Sequence, residues 1–598
     1  MTVESVHVNT VYPHSDTRYE WVEATVDFAV DPELLANERI VDLDLAPRDA
    51  DGLVRFDADL KLLRPVEGGN GKLLFVVPNR GMPTYAPWLK GGFLLDRGYT
   101  IASCGWQWDI QRANGLLGMT APQADVPPGF MRLEWRSDSA GVDHPLSFTV
   151  PEIDALPAGA EALFTFTDYP TVDVDDPDAV LSVRTSPDTE PTIISRDNWR
   201  FTDETHLTLD GGFEPFHWYE LVYRTSRTPV VGAGLLAIRD LVSHLRGSGA
   251  STAGSVGGGI EHAFAYGVSQ AGRLLRQFLA DGLNVDETGM TVFDGVFSES
   301  ASAATGEFNH RYAQPSVAQV NGFGNMAPFG ATELLMRQRD LGGVPKTMFI
   351  NTATEYWTSG GALVHVDPLT GADLPEDPDV RTYLLASTDH FGSSKLKEAL
   401  PTANPVHRLD VAPVNRALLV ALEDWVCDGV EPPHSKVPRT SDGTAVARKE
   451  VLSAFSHTTT PDPSALPHAR LIDLGPDADR GIGSWPVKLG EPYVDLVSAV
   501  DADGNEVAGI RLPAVAAPLA AYTGWNPRRH IDELPDVLYE RVGSKLAFPP
   551  GRPTVTERYP SREDYVAAAR AAAESLVAER FLLAEEVDTV VQKAAADY

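Results

Sequence analysis

Hydrophobic and polar positions partly alternate in the first hundred residues and then give way to short, nearly continuous apolar runs. Tyr19–Val30 (YEWVEATVDFAV) alternates, and residues Arg39–Leu45 and Phe56–Leu63 read similarly, with Pro, Asp and Gly between them. Period-two segments bounded by such residues predict strands. Leu73–Val77 and Tyr99–Ser103 lack polar interruptions, as strands covered on both faces of a parallel sheet do, and residues 85–97 between them are assigned one helix. From about 111 to 215 the texture changes: β-prone pieces (Leu146–Val150, Ala162–Thr167, Ala179–Thr185) sit among Pro and Asp clusters without helical periodicity. This predicts a β-rich insertion or lid. Helical spacing returns with Leu235, Leu236, Ile238, Leu241, Val242 and Leu245. Beyond it strands at Ala263–Tyr266, Thr291–Phe297, Thr347–Asn351 and Thr382–Ala386 alternate with helices at Arg273–Asp281 and Ala412–Cys427. Such alternation predicts a parallel α/β sheet.

The expected architecture is an α/β core with a mostly parallel sheet, built from residues 1–110 and 216–430. The β-rich insertion occupies 111–215. A C-terminal extension, 431–598, packs over the core and ends in helices at Arg562–Phe581 and Ala584–Ala595. Composition agrees with a packed globular chain, 43% apolar and 22% charged. No run of eighteen apolar residues marks a membrane span. Only Cys104 and Cys427 are present, so no disulfide framework is expected, and the first residues lack a signal-peptide pattern; a reducing cytoplasm is the expected compartment. The net charge of −35 repels phosphate backbones and anionic lipid, which argues against nucleic-acid and membrane-surface partners. Oligomeric state is left open.

The sharpest chemical signal is Ala265-Tyr266-Gly267-Val268-Ser269-Gln270-Ala271-Gly272, set between an apolar strand and a helix. A sharp strand-to-helix turn of this kind lifts a serine above a sheet, and small residues around it let strand and helix approach. The plainer reading makes Ser269 a helix N-cap. A hydroxyl needs a base, and the base an acid to orient it. His390 and Glu355 lie just past two later strands, where open α/β sheets place their sites. The chain has 15 histidines, and His310 is the main rival base; Asp294 is the rival acid, while Asp389 is adjacent to His390 and badly placed to face it. Oxyanion donors are expected from the backbone of Gln270 and from Arg80 or Gly81 in the loop after Leu73–Val77; the alternative is an ordinary turn with Arg80 in a surface ion pair.

No His-Glu-x-x-His, paired Cys-x-x-Cys, calcium loop or Gly-x-Gly-x-x-Gly appears, so neither metal nor cofactor is expected. Gly257-Gly258-Gly259 precedes a strand without a Gly-Lys-Ser/Thr ending and reads as a loop.

With these residues in place, the chain resembles a group of large bacterial α/β-hydrolase domain proteins, mostly regarded as serine esterases. The likeness runs along nearly the whole chain. It is carried by Asn79-Arg80-Gly81, Gly105-Trp106-Gln107-Trp108-Asp109, the Gly267–Gly272 turn, Glu307–Arg311, Glu355-Tyr356-Trp357, Asp389-His390 and Ala521-Tyr522-Thr523-Gly524-Trp525-Asn526. It implies a Ser–Glu–His arrangement on the matching positions and no cofactor. Many members look secreted, and this chain departs from them in its start. Trp106, Trp108, Trp357, Tyr522 and Trp525 are expected either as walls of a half-apolar substrate pocket or as core residues. The expected reaction is hydrolysis of a small-molecule ester by an acyl-enzyme route. A lactonase or acyltransferase on the same residues is the alternative within the class, and a binding protein on such a core the alternative outside it.

Overall fold

The computed structural model describes residues 2–136, 140–147, 166–247, 259–316, 322–531 and 536–598. The first strands are β1 (Val3–Pro13), β2 (Tyr19–Val30), β3 (Val54–Pro65), β4 (Lys72–Val76), β5 (Thr100–Cys104) and β6 (Met119–Thr120). Next come β7 (Gly129–Arg136), β8 (Gly141–Pro145), β9 (Val180–Arg184), β10 (Thr192–Ile194), β11 (Trp199–Asp203), β12 (His206–Phe213) and β13 (Trp218–Thr225). After them follow β14 (His262–Val268), β15 (Gly295–Glu299), β16 (Lys346–Thr352) and β17 (Val380–Leu385). A ten-stranded sheet runs in the order β1, β2, β3, β5, β4, β14, β15, β16, β17, with β6 beside β3. From β5 to β17 every pairing is parallel; β1, β2, β3 and β5 form an antiparallel flank.

The apolar runs have no polar face because both sides are covered. Along β14, Ala263 and Ala265 face a core that includes Leu235, Leu241, Leu274 and Phe278. Phe264 and Tyr266 face the opposite core, with Leu418, Leu422 and Trp425. Helices Ala233–Gly247 and Gln270–Ala280 therefore lie on one face, and Ala412–Asp428 on the other. At the β17 edge the Leu384 N–H donates to Lys436 O and the Ala386 N–H to Ile510 O, both at 3.0 Å, so the last third of the chain covers that edge. No helix among the described residues is long and apolar enough to cross a membrane.

Two expectations fail locally. Residues 39–45 form no strand but lie among 3-10 turns at Leu35–Asn37 and Leu43–Leu45. The buried apolar positions here, Ile40, Leu43 and Ala46 just beyond, recur every third position rather than every second. The helix expected across 85–97 is one turn, Ala86–Leu89, and a 3-10 turn, because Gly91 (φ 64°) and Gly92 (φ 77°) leave helical space.

The β-rich region holds a four-stranded sheet, β10-β9-β13-β7, and a three-stranded one, β11-β12-β8. Its strand β13 lies past residue 215 yet pairs with β7 and β9. Leu146 and Ser147 follow β8 as a bend; positions 148–150, 162–165, 257 and 258 lie outside the described residues.

Candidate active site

β14 ends at Val268, and the helix Gln270–Ala280 starts two residues later, so Ser269 makes the whole turn. Its backbone sits at φ 58°, ψ −121°, a region an L-residue occupies only under constraint. The constraint is close packing. A Cβ on Gly267 would lie 2.4 Å from Ala271 O, and one on Gly272 2.9 Å from Ala301 Cβ. The Ser269 N–H donates to Glu299 O at 2.8 Å, tying the turn to β15. Ser269 occupies the N-cap position but its hydroxyl makes no cap hydrogen bond, so the plain capping reading does not hold.

The parallel register brings the ends of β14, β15, β16 and β17 to one edge: Val268 is level with Glu299, Glu299 with Ile350, and Ile350 with Tyr383. Past β16, helix Ala353–Thr358 opens with a capping box in which Glu355 Oε2 accepts from Thr352 N (2.7 Å) and Thr352 Oγ1 (2.5 Å). Its other oxygen, Oε1, lies 2.6 Å from His390 Nδ1, beyond β17. A carboxylate only accepts, so Nδ1 donates and Nε2 is the nitrogen able to take a proton. Glu355 is buried, while the His390 side chain keeps 14% exposure.

Asn79, Arg80, Gly81 and Met82 form a tight turn after β4. Asn79 and Met82 exchange both backbone bonds (2.9 and 3.0 Å), and Arg80 (φ 49°) and Gly81 (φ 78°) are left-handed between them. The turn closes without using the N–H groups of its two central residues. It is pinned to the elbow by Asn79 Nδ2, which donates to Val268 O at 3.3 Å. The Arg80 guanidinium is directed inward, donating to Ser316 O (3.0 Å) and Asn79 Oδ1 (3.1 Å). Burial, with the charges of Arg541 and Arg273, pushes its pKa down to about 10, against the pull of Asp109. Gln270 starts the helix after Ser269 and is buried.

The five aromatic residues expected as pocket walls or core are all buried. The indole N–H of Trp106 donates to Pro78 O (2.7 Å) and that of Trp108 to Ala313 O (3.3 Å). Trp357 packs on Trp525 at 6.0 Å between ring centroids, Trp525 meets Phe455 edge-on at 5.2 Å, and Tyr522 meets His407 edge-on at 6.0 Å. These contacts seat them in the core.

Asp294 precedes β15, at the opposite end of the sheet from Ser269, and pairs with Arg246 at 2.9 Å. Six residues of β14 separate the two levels, about 20 Å of strand. His310 stacks on Phe323 at 3.8 Å and lines a cavity of about 970 Å³ that Ser269, Glu355 and His390 do not line. Asp389 is buried against Lys397, with Nζ at 2.9 and 2.6 Å from its two oxygens. Glu299 was missed by the sequence reading. Its carboxyl, buried at the end of β15, accepts from Tyr266 OH and Asn415 Nδ2, both at 2.7 Å. Burial raises its pKa, opposed by these bonds and by the nearby His390. The signal available was its place at the end of the apolar run after Thr291.

A family model described as an alpha/beta hydrolase domain matches residues 201–592. No curated protein matches the chain significantly. Among solved structures it is similar to a CE15 glucuronoyl esterase from Teredinibacter turnerae T7901, at 9% identity and a TM-score of 0.22, covering 63% of this chain and 73% of that one.

Proposed function

The chain belongs to the alpha/beta hydrolase domain family, and from that premise we propose that it is a serine hydrolase cleaving a small-molecule carboxylic ester. Ser269 Oγ attacks the ester carbonyl carbon while its proton passes to His390 Nε2. The C–O bond to the alcohol then breaks, and His390 returns the proton to the leaving oxygen. Water repeats the sequence on the acyl-enzyme: it gives its proton to His390, adds to the carbonyl, and expels Ser269 Oγ, which regains a proton. Glu355 holds the Nδ1 proton and stabilises the imidazolium. The N–H groups of Gln270 and of Arg80 or Gly81 face the oxyanion, each worth about 3 kcal/mol in the transition state.

The observation that carries this reading is the Glu355–His390 pair at 2.6 Å, its carboxylate buried and its imidazole partly open. It stands at the same sheet edge as a strained serine whose hydroxyl is not spent on capping. A fluorophosphonate probe should label folded protein at Ser269 and spare Ser269→Ala, since only an activated serine displaces fluoride quickly. Activity against p-nitrophenyl esters of graded chain length should vanish in the same variant. Labelling at another residue, or none, would overturn the reading.

A further inference from the structure

We propose that Ser316 is the positioning residue that locks the two halves of the oxyanion hole together, an inference that rests on the serine-hydrolase reading of Ser269. The two expected donors belong to unrelated segments. One lies in the left-handed turn at Arg80 and Gly81, which no regular hydrogen-bond ladder extends. The other lies on Gln270, at the start of its helix. Transition-state donors act only when held within tenths of an ångström of where the oxyanion forms. Something must therefore fix one segment against the other.

Ser316 is fully buried and uses every polar group it has. Its carbonyl accepts from Arg80 Nε at 3.0 Å, which reaches the turn. Its Oγ accepts from Gln107 Nε2 at 3.0 Å, and the same amide nitrogen donates to Gln270 Oε1 at 3.2 Å, which reaches the elbow. Its N–H and Oγ–H both donate to Asp109, at 3.0 and 2.9 Å. Gln270 Nε2 closes the ring by donating to Pro315 O. One motif supplies the frame. Within Gly105–Asp109, Trp106 holds Pro78 just before the turn, Gln107 bridges to Gln270, and Asp109 anchors Ser316. Gly105 seats the start of this segment against Gly118, since a Cβ there would lie 2.0 Å from Gly118 O. The conspicuous Gly-Trp-Gln-Trp-Asp sequence thus acts as a brace between turn and elbow.

Ser316→Ala removes the Oγ bridge while keeping the backbone bonds to Asp109 and Arg80. The expected result is a fall in kcat/KM of about 10- to 100-fold, carried by kcat with KM little changed. Affinity for an alkyl boronic acid should fall by the same factor. Its boron takes up Ser269 Oγ, the proton passing to His390, and so places a hydroxyl oxygen where the oxyanion forms. The acid limb of the pH–activity profile should not move, because His390 and Glu355 are untouched. Gln107→Met, which removes the bridge from the other side, should reproduce all three readouts, and it stands in should Ser316→Ala fail to fold. A loss of kcat without a parallel loss of boronate affinity would overturn the inference, as would wild-type values in both variants, while fluorophosphonate labelling of Ser269 still upheld the hydrolase reading. Absence of that labelling in the wild type would overturn both.

Discussion

Glu355 divides its carboxylate between two tasks. One oxygen is committed to the Thr352 capping box and the other to His390 Nδ1. A glutamine can offer its oxygen to only one of these, and its NH₂ cannot hold the Nδ1 proton. Glu355→Gln should therefore keep the fold, by circular dichroism and melting temperature, yet lose about 10³- to 10⁴-fold in kcat. Glu299→Gln is the informative companion. Its carboxyl is already occupied by Tyr266 and Asn415, so steady-state kinetics should show a change within about tenfold. If Glu299→Gln is the crippling change and Glu355→Gln is nearly silent, Glu299 is the acid. The place of Glu355 just past an apolar strand was readable in the sequence. The linkage of Glu299 to Ser269 was not, because it depends on which strand lies beside β14. Ser316 was invisible for the same reason, since all its partners are far away in the chain.

At the scale of elements, a run was legible where its burial pattern had a period of its own. β2, β4, β14, β16 and β17 lie where apolar runs or alternation put them. Residues 39–45 misled because a mixed run can be read at period two or three, and the run is held by distant contacts such as the Val41 N–H on Asn309 Oδ1 and Asn309 Nδ2 on Arg39 O. The role of the Ala521–Asn526 segment was also beyond local reading. Gly524 packs against the helix that carries Glu355: a Cβ there would lie 2.4 Å from Ala353 Cβ, and Gly524 O accepts from Thr354 Oγ1 at 2.8 Å. Gly524→Ala should push that helix away and stretch the Glu355–His390 bond. Kinetics should show kcat lowered by about 10- to 100-fold with KM little affected, and a melting temperature only a few degrees lower. An unchanged kcat would mean that the segment covers the helix without aiming it.

For the whole molecule, the balance between buried acids and buried bases sets the pH at which the fold is most stable. Burial pushes Glu506 up to about 8, against the Ser387 N–H that it accepts at 2.6 Å. It pushes Glu307 up to about 7, against Arg132 and Arg273, and Asp109 up to about 6, against Ser316. Each of these binds its proton more tightly folded than unfolded. The stability they add is complete below the ordinary carboxyl range, near 4, and is lost as pH rises through 6, 7 and 8. Burial pushes His144, His310 and His365 down to about 3 and His407 down to about 4. Their contribution is complete above the ordinary histidine value, 6.5, and is lost as pH falls through 4 and 3. The two sets oppose each other between about 4.5 and 6.5, and four histidines against three acids leave stability rising across that window, so the fold should be most stable near its upper end, about pH 6 to 6.5. Each proton is worth about 1.4 kcal/mol per pH unit, so Glu506 and Glu307 together remove roughly 4 kcal/mol between pH 6 and 8. The net charge of −35 adds self-repulsion on the same side, which salt screens. Glu506→Gln isolates one proton: the amide oxygen can still accept from Ser387 N–H, but it cannot ionise. Melting curves at fixed salt should show the variant gaining on the wild type steadily from pH 5 to about 8 and levelling off above, with no relative gain below pH 4.5. Parallel curves over that range would show that Glu506 is already ionised at neutral pH and that the alkaline loss of stability lies elsewhere.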